Sequence, residues 1–175
     1  MATQDARILA ADVGATKTVV ALFDRDGSIA TPVARKAYPS REHDGLESIL
    51  GAFRGTHGGP IACAALAVAG PLHEGRAELT NLGWVVDREE ISDRQSIPTV
   101  VMMNDLEGLA AAVPHLLPED LHALAHGDSV AGGTLAVAAP GTGLGQAFLT
   151  WNGREYIAHA CEGGHCSFAP TTTEQ

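Results

Sequence analysis

Twice along this chain a β-rich run meets a glycine turn, continues as a second β-rich run and passes through another tight turn into a third. In the first copy the runs are Arg7 to Ala11, Thr18 to Phe23 and about Thr31 to Tyr38, joined by the Asp12 to Lys17 turn and by Asp26-Gly27. In the second they are Thr134 to Ala138, Leu144 to Trp151 and Glu155 to His159, joined by Gly141-Thr142-Gly143 and by Asn152-Gly153. Short β-prone runs bounded by Gly, Asn and Asp read as antiparallel meanders. The copies share pattern more than letters, which marks a duplicated supersecondary unit.

Between the copies the period changes. Leu46, Ile49, Leu50 and Phe53 recur at helical spacing, and the glycines from Gly55 to Gly59 stop that helix before the apolar strand Ile61 to Val68. A Gly70-Pro71 turn, a short strand at Ala77 to Leu79, a polar stretch, the buried-type strand Thr99 to Met103 and an Ala-rich helix from Leu106 to Val113 follow. Pro114 and Pro118 end that helix and mark a domain boundary. The expectation is an α/β domain with a mixed sheet over residues 1–115, and over residues 116–175 the start of a second, similar domain. The second copy stops at Gln175 without the helix and strands that follow the first, so the sequence reads as part of a longer two-domain protein. The alternative is a complete chain with a small, partly exposed second sheet, against which the aggregation hazard of open apolar edges argues.

With 45% hydrophobic and 18% charged residues, the chain can bury a core and is not a disordered one. A formal net charge of -10 excludes a general nucleic-acid or membrane-surface binder, which needs clustered Lys and Arg. No apolar run approaches the ~20 residues that span a bilayer, and the first residues lack the pattern of a signal peptide. The expected location is the cytoplasm. Cys63, Cys161 and Cys166 form an odd set with no framework spacing, and reduced thiols are expected.

Four segments carry candidate chemistry. Asp12-Val13-Gly14-Ala15-Thr16-Lys17 lies between strands, where Gly14 lets the backbone approach a phosphate, the Ala15 and Thr16 N–H groups and the Thr16 hydroxyl can donate to it, and Asp12 can hold magnesium through water. An ordinary hairpin turn would favour the same residues. Neither this segment nor Gly141-Thr142-Gly143-Leu144-Gly145 fits a Walker loop or a dinucleotide fingerprint, because a strand and not a helix follows each. Two equivalent glycine turns suggest a nucleotide held by both, and Gly141, Thr142 and Gly143 are the second set of candidate phosphate contacts; taken alone, the segment suits a structural turn equally.

Asn104-Asp105 ends a buried strand and precedes a helix, where sheets of this type bind ligands. The carboxylate can accept a proton from an attacking hydroxyl while the amide orients the substrate; the same pair is also a favoured helix N-cap. Glu162-Gly163-Gly164-His165 presents a carboxylate and an imidazole past two small residues, a geometry suited to adjacent sugar hydroxyls or, equally, to a polar surface loop. His159, Cys161, His165 and Cys166 lack the paired spacing of structural zinc.

Taken in order, these pieces resemble the bacterial hexose-kinase form of glucokinase, within the fold group of hexokinase, actin and the Hsp70 ATPase domain. The matching segments are Ala10 to Thr16, Ala67-Val68-Ala69-Gly70-Pro71, Thr80-Asn81-Leu82-Gly83-Trp84, Met103-Asn104-Asp105, Gly141 to Gly145, and Glu162 to His165 with Phe168-Ala169-Pro170. The resemblance implies the actin-like ATPase (ribonuclease H-like) fold, a cleft between two α/β domains and magnesium ATP across the two glycine turns. It implies glucose bound by Asn104, Asp105, Glu162 and His165, with Asp105 as catalytic base, and a homodimer. The family usually has a second glycine at Ala15 and Asn at Lys17, and its adenosine-binding segment falls beyond Gln175. A related kinase of another hexose or N-acetylhexosamine is the alternative. A sugar-sensing repressor would need a DNA-binding helix pair before Asp12, and an actin-like scaffold has no reason to keep Asn104-Asp105 with Glu162 and His165.

Overall fold

The computed structural model describes residues 6–26, 31–141 and 143–166, the side chain of His165 excepted. They divide into two compact units, 1–105 and 106–175.

The first unit is built on a five-stranded mixed sheet in the order β3-β2-β1-β4-β8. Strands β1 (Arg7–Val13), β2 (Lys17–Phe23) and β3 (Ala34–Pro39) form the expected antiparallel meander. Helix α1 (Leu46–Thr56) then carries the chain to β4 (Ile61–Val68), which pairs with β1 in parallel. The four apolar residues at helical spacing, Leu46, Ile49, Leu50 and Phe53, are all buried to 1% exposure or less. Burying side chains of this size contributes roughly 1.5–3 kcal/mol each, which outweighs the modest helix propensity of a segment holding Gly51 and Gly55. The helix runs through Gly55 and stops at Thr56.

The stretch read from sequence as one short strand and a polar segment is more structured than expected. Strands β5 (Leu72–His73), β6 (Arg76–Leu79) and β7 (Trp84–Asp87) make a small antiparallel sheet, and helix α2 (Arg88–Gln95) follows. Only Ile91 of α2 is buried, so the helix carries almost no apolar stripe. Its start is fixed instead by Asp87, whose Oδ1 accepts from the N–H groups of Glu89 at 2.8 Å and Glu90 at 3.1 Å. Strand β8 (Val100–Asn104) closes the sheet, parallel to β4. Leu9, Val13, Val20, Leu22, Leu66, Val68, Ile91 and Ile97 form one core with α1.

In the second unit, β9 (Leu135–Pro140), β10 (Leu144–Trp151) and β11 (Tyr156–Cys161) repeat the antiparallel order of β1, β2 and β3. The β10–β11 turn is chemical in origin. Asn152 Oδ1 accepts from the N–H groups of Arg154 and Glu155 at 2.8 and 2.9 Å, and Gly153 takes a φ of 95°, in the left-handed region that glycine adopts freely. Helix α3 (Asp105–Ala112) packs on this sheet, with Ala110 against Ala147 and Leu149. The expectation had placed this helix before the boundary and left the second sheet uncovered. Its small apolar residues instead cover one face of β10, and a 3-10 turn over Val113–His115 carries the chain through Pro114.

Candidate active site

The parallel strands β1, β4 and β8 bring their carboxyl ends to one edge of the sheet. Val13 pairs with Val68, and Val68 with Asn104, so the three strands finish in register. Beyond that line the Asp12 to Lys17 turn, the Gly70 turn and Asp105 emerge side by side. The edges are tied together: Ala69 donates its N–H to the Val13 carbonyl at 3.0 Å, and Asn104 donates Nδ2 to the Gly70 carbonyl at 3.1 Å. Asn104 thus fixes the Gly70 turn, a role that its sequence position alone did not disclose.

The first glycine turn is tightly made. The Gly14 N–H donates to the Lys17 carbonyl at 3.1 Å, and a Cβ on Gly14 would stand 3.1 Å from the same oxygen. A side chain here would need the Lys17 carbonyl to give by a few tenths of an ångström, so glycine suits the close approach. Ala15 is a different matter: among the described non-glycine residues only Glu74 and Ser96 have positive φ, so its methyl sits on backbone that any residue adopts. Thr16 and Lys17 are exposed.

Asp12 reaches solvent at the end of β1, yet it stands close to enough protein to lose part of its hydration. That loss, and then the negative charge of Asp105, raise its pKa above the ordinary 3.8, while Lys17 opposes the rise. Two carboxylates and one ammonium thus gather at the strand edge that also carries the glycine turn. Lys17, a departure from the family's usual Asn, is electrostatically the counter-charge of Asp12.

The second turn repeats the first in outline. Gly141 donates its N–H to the Gly143 carbonyl at 2.8 Å, and both glycines are exposed; Thr142 lies outside the described residues. After β11 the chain turns at Glu162, which is exposed, into a 3-10 turn over Gly163–His165. The two glycines of this loop have a packing reason. A Cβ on Gly164 would overlap the Leu144 carbonyl oxygen, and one on Gly163 would overlap Gln146 Oε1. The loop of Glu162 and His165 therefore lies against the start of β10, immediately after the glycine turn. The His165 side chain lies outside the described residues. Among the described residues no three His, Cys, Asp or Glu side chains gather into a metal-binding group.

The family model of glucokinase matches residues 9–175. The chain belongs to the glucokinase family. The glucokinase of Nostoc punctiforme is 34% identical over 165 residues, which are 93% of this chain and 48% of that protein. A crystallised glucokinase from an Antarctic psychrotroph superposes with a TM-score of 0.82 at 31% identity, over 96% of this chain and 53% of its own. A glucokinase from Streptomyces griseus, solved in complex with glucose and AMPPNP, shares the fold at a TM-score of 0.56 and 17% identity, over 88% of this chain and 48% of its own. The actin-like ATPase fold implied by the sequence is thus the fold of this glucokinase-family chain. The chain spans about half the length of the relatives it matches.

Proposed function

We propose that the protein carrying this sequence transfers the γ-phosphoryl group of ATP to the 6-hydroxyl of glucose, giving glucose 6-phosphate and ADP. The observation that carries the reading is the placement of Asp105 at the strand edge where the Asp12 to Lys17 glycine turn also ends, with Val13, Val68 and Asn104 in register behind them. Open α/β sheets bind ligands at the carboxyl ends of their strands, and this edge supplies both an anion-binding turn and a carboxylate base.

In this reading the turn of Gly14, Ala15 and Thr16 and the turn of Gly141, Thr142 and Gly143 lie against the phosphates; the Gly14 and Gly141 N–H groups close the turns on the Lys17 and Gly143 carbonyls, and the N–H groups that follow them are the donors to phosphate oxygens. Asn104, Asp105, Glu162 and His165 hold the sugar. Asp105 accepts the proton of the 6-hydroxyl as that oxygen attacks the γ-phosphorus; the bond to the β–γ bridging oxygen breaks, and its electrons leave with ADP. General-base assistance of this kind contributes about 10²- to 10⁴-fold, and positioning of the reactants supplies much of the remainder.

A magnesium ion fits the donor set. Asp12 is an oxygen donor of the kind magnesium takes, one that suits an ion completed by phosphates and water, and the Asp105 charge that acts on it adds negative charge a divalent cation would offset. When bound, such an ion neutralises charge on the phosphates. Asp12 would hold it, through water. No helix among the described residues is long and apolar enough to cross a membrane, and with three free cysteines this supports work in the reducing cytoplasm.

The test is ATP-dependent phosphorylation of glucose, fructose, mannose and an N-acetylhexosamine by the full reading frame that contains this sequence. Glucose turned over in preference to the others is the expected result. Phosphorylation of no hexose would remove the reading, and preference for another sugar would move it to that substrate.

A further inference from the structure

The first glycine turn is held from behind by a residue that belongs to none of the motifs. Ser40, the first residue after β3 and the start of a 3-10 turn, is buried with 0% exposure. Its Oγ donates to the Gly14 carbonyl at 2.6 Å across 26 residues of chain, and its N–H donates to the Thr16 carbonyl at 3.1 Å. A serine hydroxyl carries one proton, so with that proton on Gly14 the equally buried Thr18 Oγ1, 2.9 Å away, is the donor to Ser40. The Gly14 N–H in turn holds the Lys17 carbonyl. The carbonyls of Gly14, Thr16 and Lys17 are all engaged within the protein.

This matters for an anion. Phosphate oxygens are attracted by N–H groups and repelled by carbonyl oxygens, so a backbone turn serves as a phosphate cradle only while its carbonyls point elsewhere. We propose that Ser40 is a positioning residue for the nucleotide: by drawing the Gly14 and Thr16 carbonyls inward it keeps the N–H face of the turn toward the phosphates. The proposal rests on the reading that this turn binds ATP. Thr18 is the second element of the device, because its hydroxyl occupies the Ser40 lone pair and leaves the Ser40 proton directed at Gly14.

The experiment is calorimetric titration of the full reading frame, wild type and Ser40→Ala, with magnesium ATP and separately with glucose, together with hydrogen–deuterium exchange over residues 13–18. Ser40→Ala is expected to weaken ATP binding about tenfold, to leave glucose binding within about twofold and to speed exchange in the turn. Unchanged ATP affinity in a folded Ser40→Ala protein overturns the proposal. So does an equal weakening of both ligands, which a general loss of structure would give. If Ser40→Ala does not fold, Thr18→Val keeps the shape of the side chain without its hydroxyl. It is then expected to weaken ATP binding about threefold with glucose unaffected, and no effect overturns the proposal. Wild-type protein that binds no ATP overturns the proposal together with the reading beneath it, whereas normal wild-type binding with an unaffected variant overturns the proposal alone.

Discussion

Loss of hydration, and then the negative charge of Asp105, raise the pKa of Asp12 above 3.8, with Lys17 pulling the other way. A carboxyl that holds its proton more tightly in the folded state than in the unfolded one contributes stability that is fully present below 3.8 and is lost as pH rises through the folded-state value. At neutral pH the ionised Asp12 is therefore a net cost to the fold. Asp12→Asn, melted without divalent cations, is expected to unfold at a higher temperature than wild type at neutral pH. That advantage should shrink as the pH falls toward 3.8. A lower melting temperature for the variant at neutral pH would show that Asp12 is stabilised, not strained, by its surroundings. The same change should impair magnesium ATP binding, the usual exchange of stability for function at a charged site.

Asp105→Asn separates chemistry from binding. The amide keeps the shape of the carboxylate and can still hydrogen-bond a sugar hydroxyl, but it cannot take the proton. Turnover of glucose by the full reading frame is expected to fall by about 10²- to 10⁴-fold, with glucose affinity within about tenfold of wild type. Turnover near the wild-type rate would take Asp105 out of the mechanism.

The legible and illegible parts of this chain divide by physical cause. The meanders, α1 and β4 were readable because alternation, helical spacing and Gly or Asn turns are local signals, and each is repaid by burial: Leu50 and Phe53 are fully buried. Helix α2 was missed because it has almost no apolar stripe, Ile91 being its one buried residue. Its signal lay in capping, since Asp87 followed by Glu89 and Glu90 is a helix-start pattern that periodicity does not see. The affiliation of α3 was not readable either, because Ala and Leu suit either sheet and only contact decides that Ala110 packs against Leu149. Of the site, the glycine turns and Asn104-Asp105 stood out by residue type. Ser40 and Thr18 did not: an isolated Ser and an isolated Thr acquire meaning only once folding places them 2.9 Å apart.

The capping account of α2 has its own test. Asp87→Ala removes the acceptor of two N–H groups and leaves the rest of the helix unaltered. It is expected to cost about 1 kcal/mol of stability, within a range of roughly 0.5–2, read as a shift in denaturant midpoint at constant slope. Asp87→Asn, which can still accept both bonds, should lose much less. Equal losses in the two variants would mean that charge near the helix start, and not the cap geometry, sets the register.

Gly164→Ala tests whether the Glu162 loop must lie on β10. The added methyl would overlap the Leu144 carbonyl, a backbone atom that cannot swing aside as a side-chain end could. Either the loop lifts or β10 shifts at its first residue, beside the Gly141 to Gly143 turn. Cβ atoms at Gly163 would meet a side-chain amide, so Gly163→Ala can be relieved by rotation of Gln146. The expected result is a graded one: glucose affinity of the full reading frame falls by at least about tenfold in Gly164→Ala and by less in Gly163→Ala, while overall stability changes little in either, because the loop buries few apolar groups. Glucose affinity unchanged in Gly164→Ala would mean that Glu162 and His165 do not need the close backbone approach, and their place in the sugar site would then have to be given up.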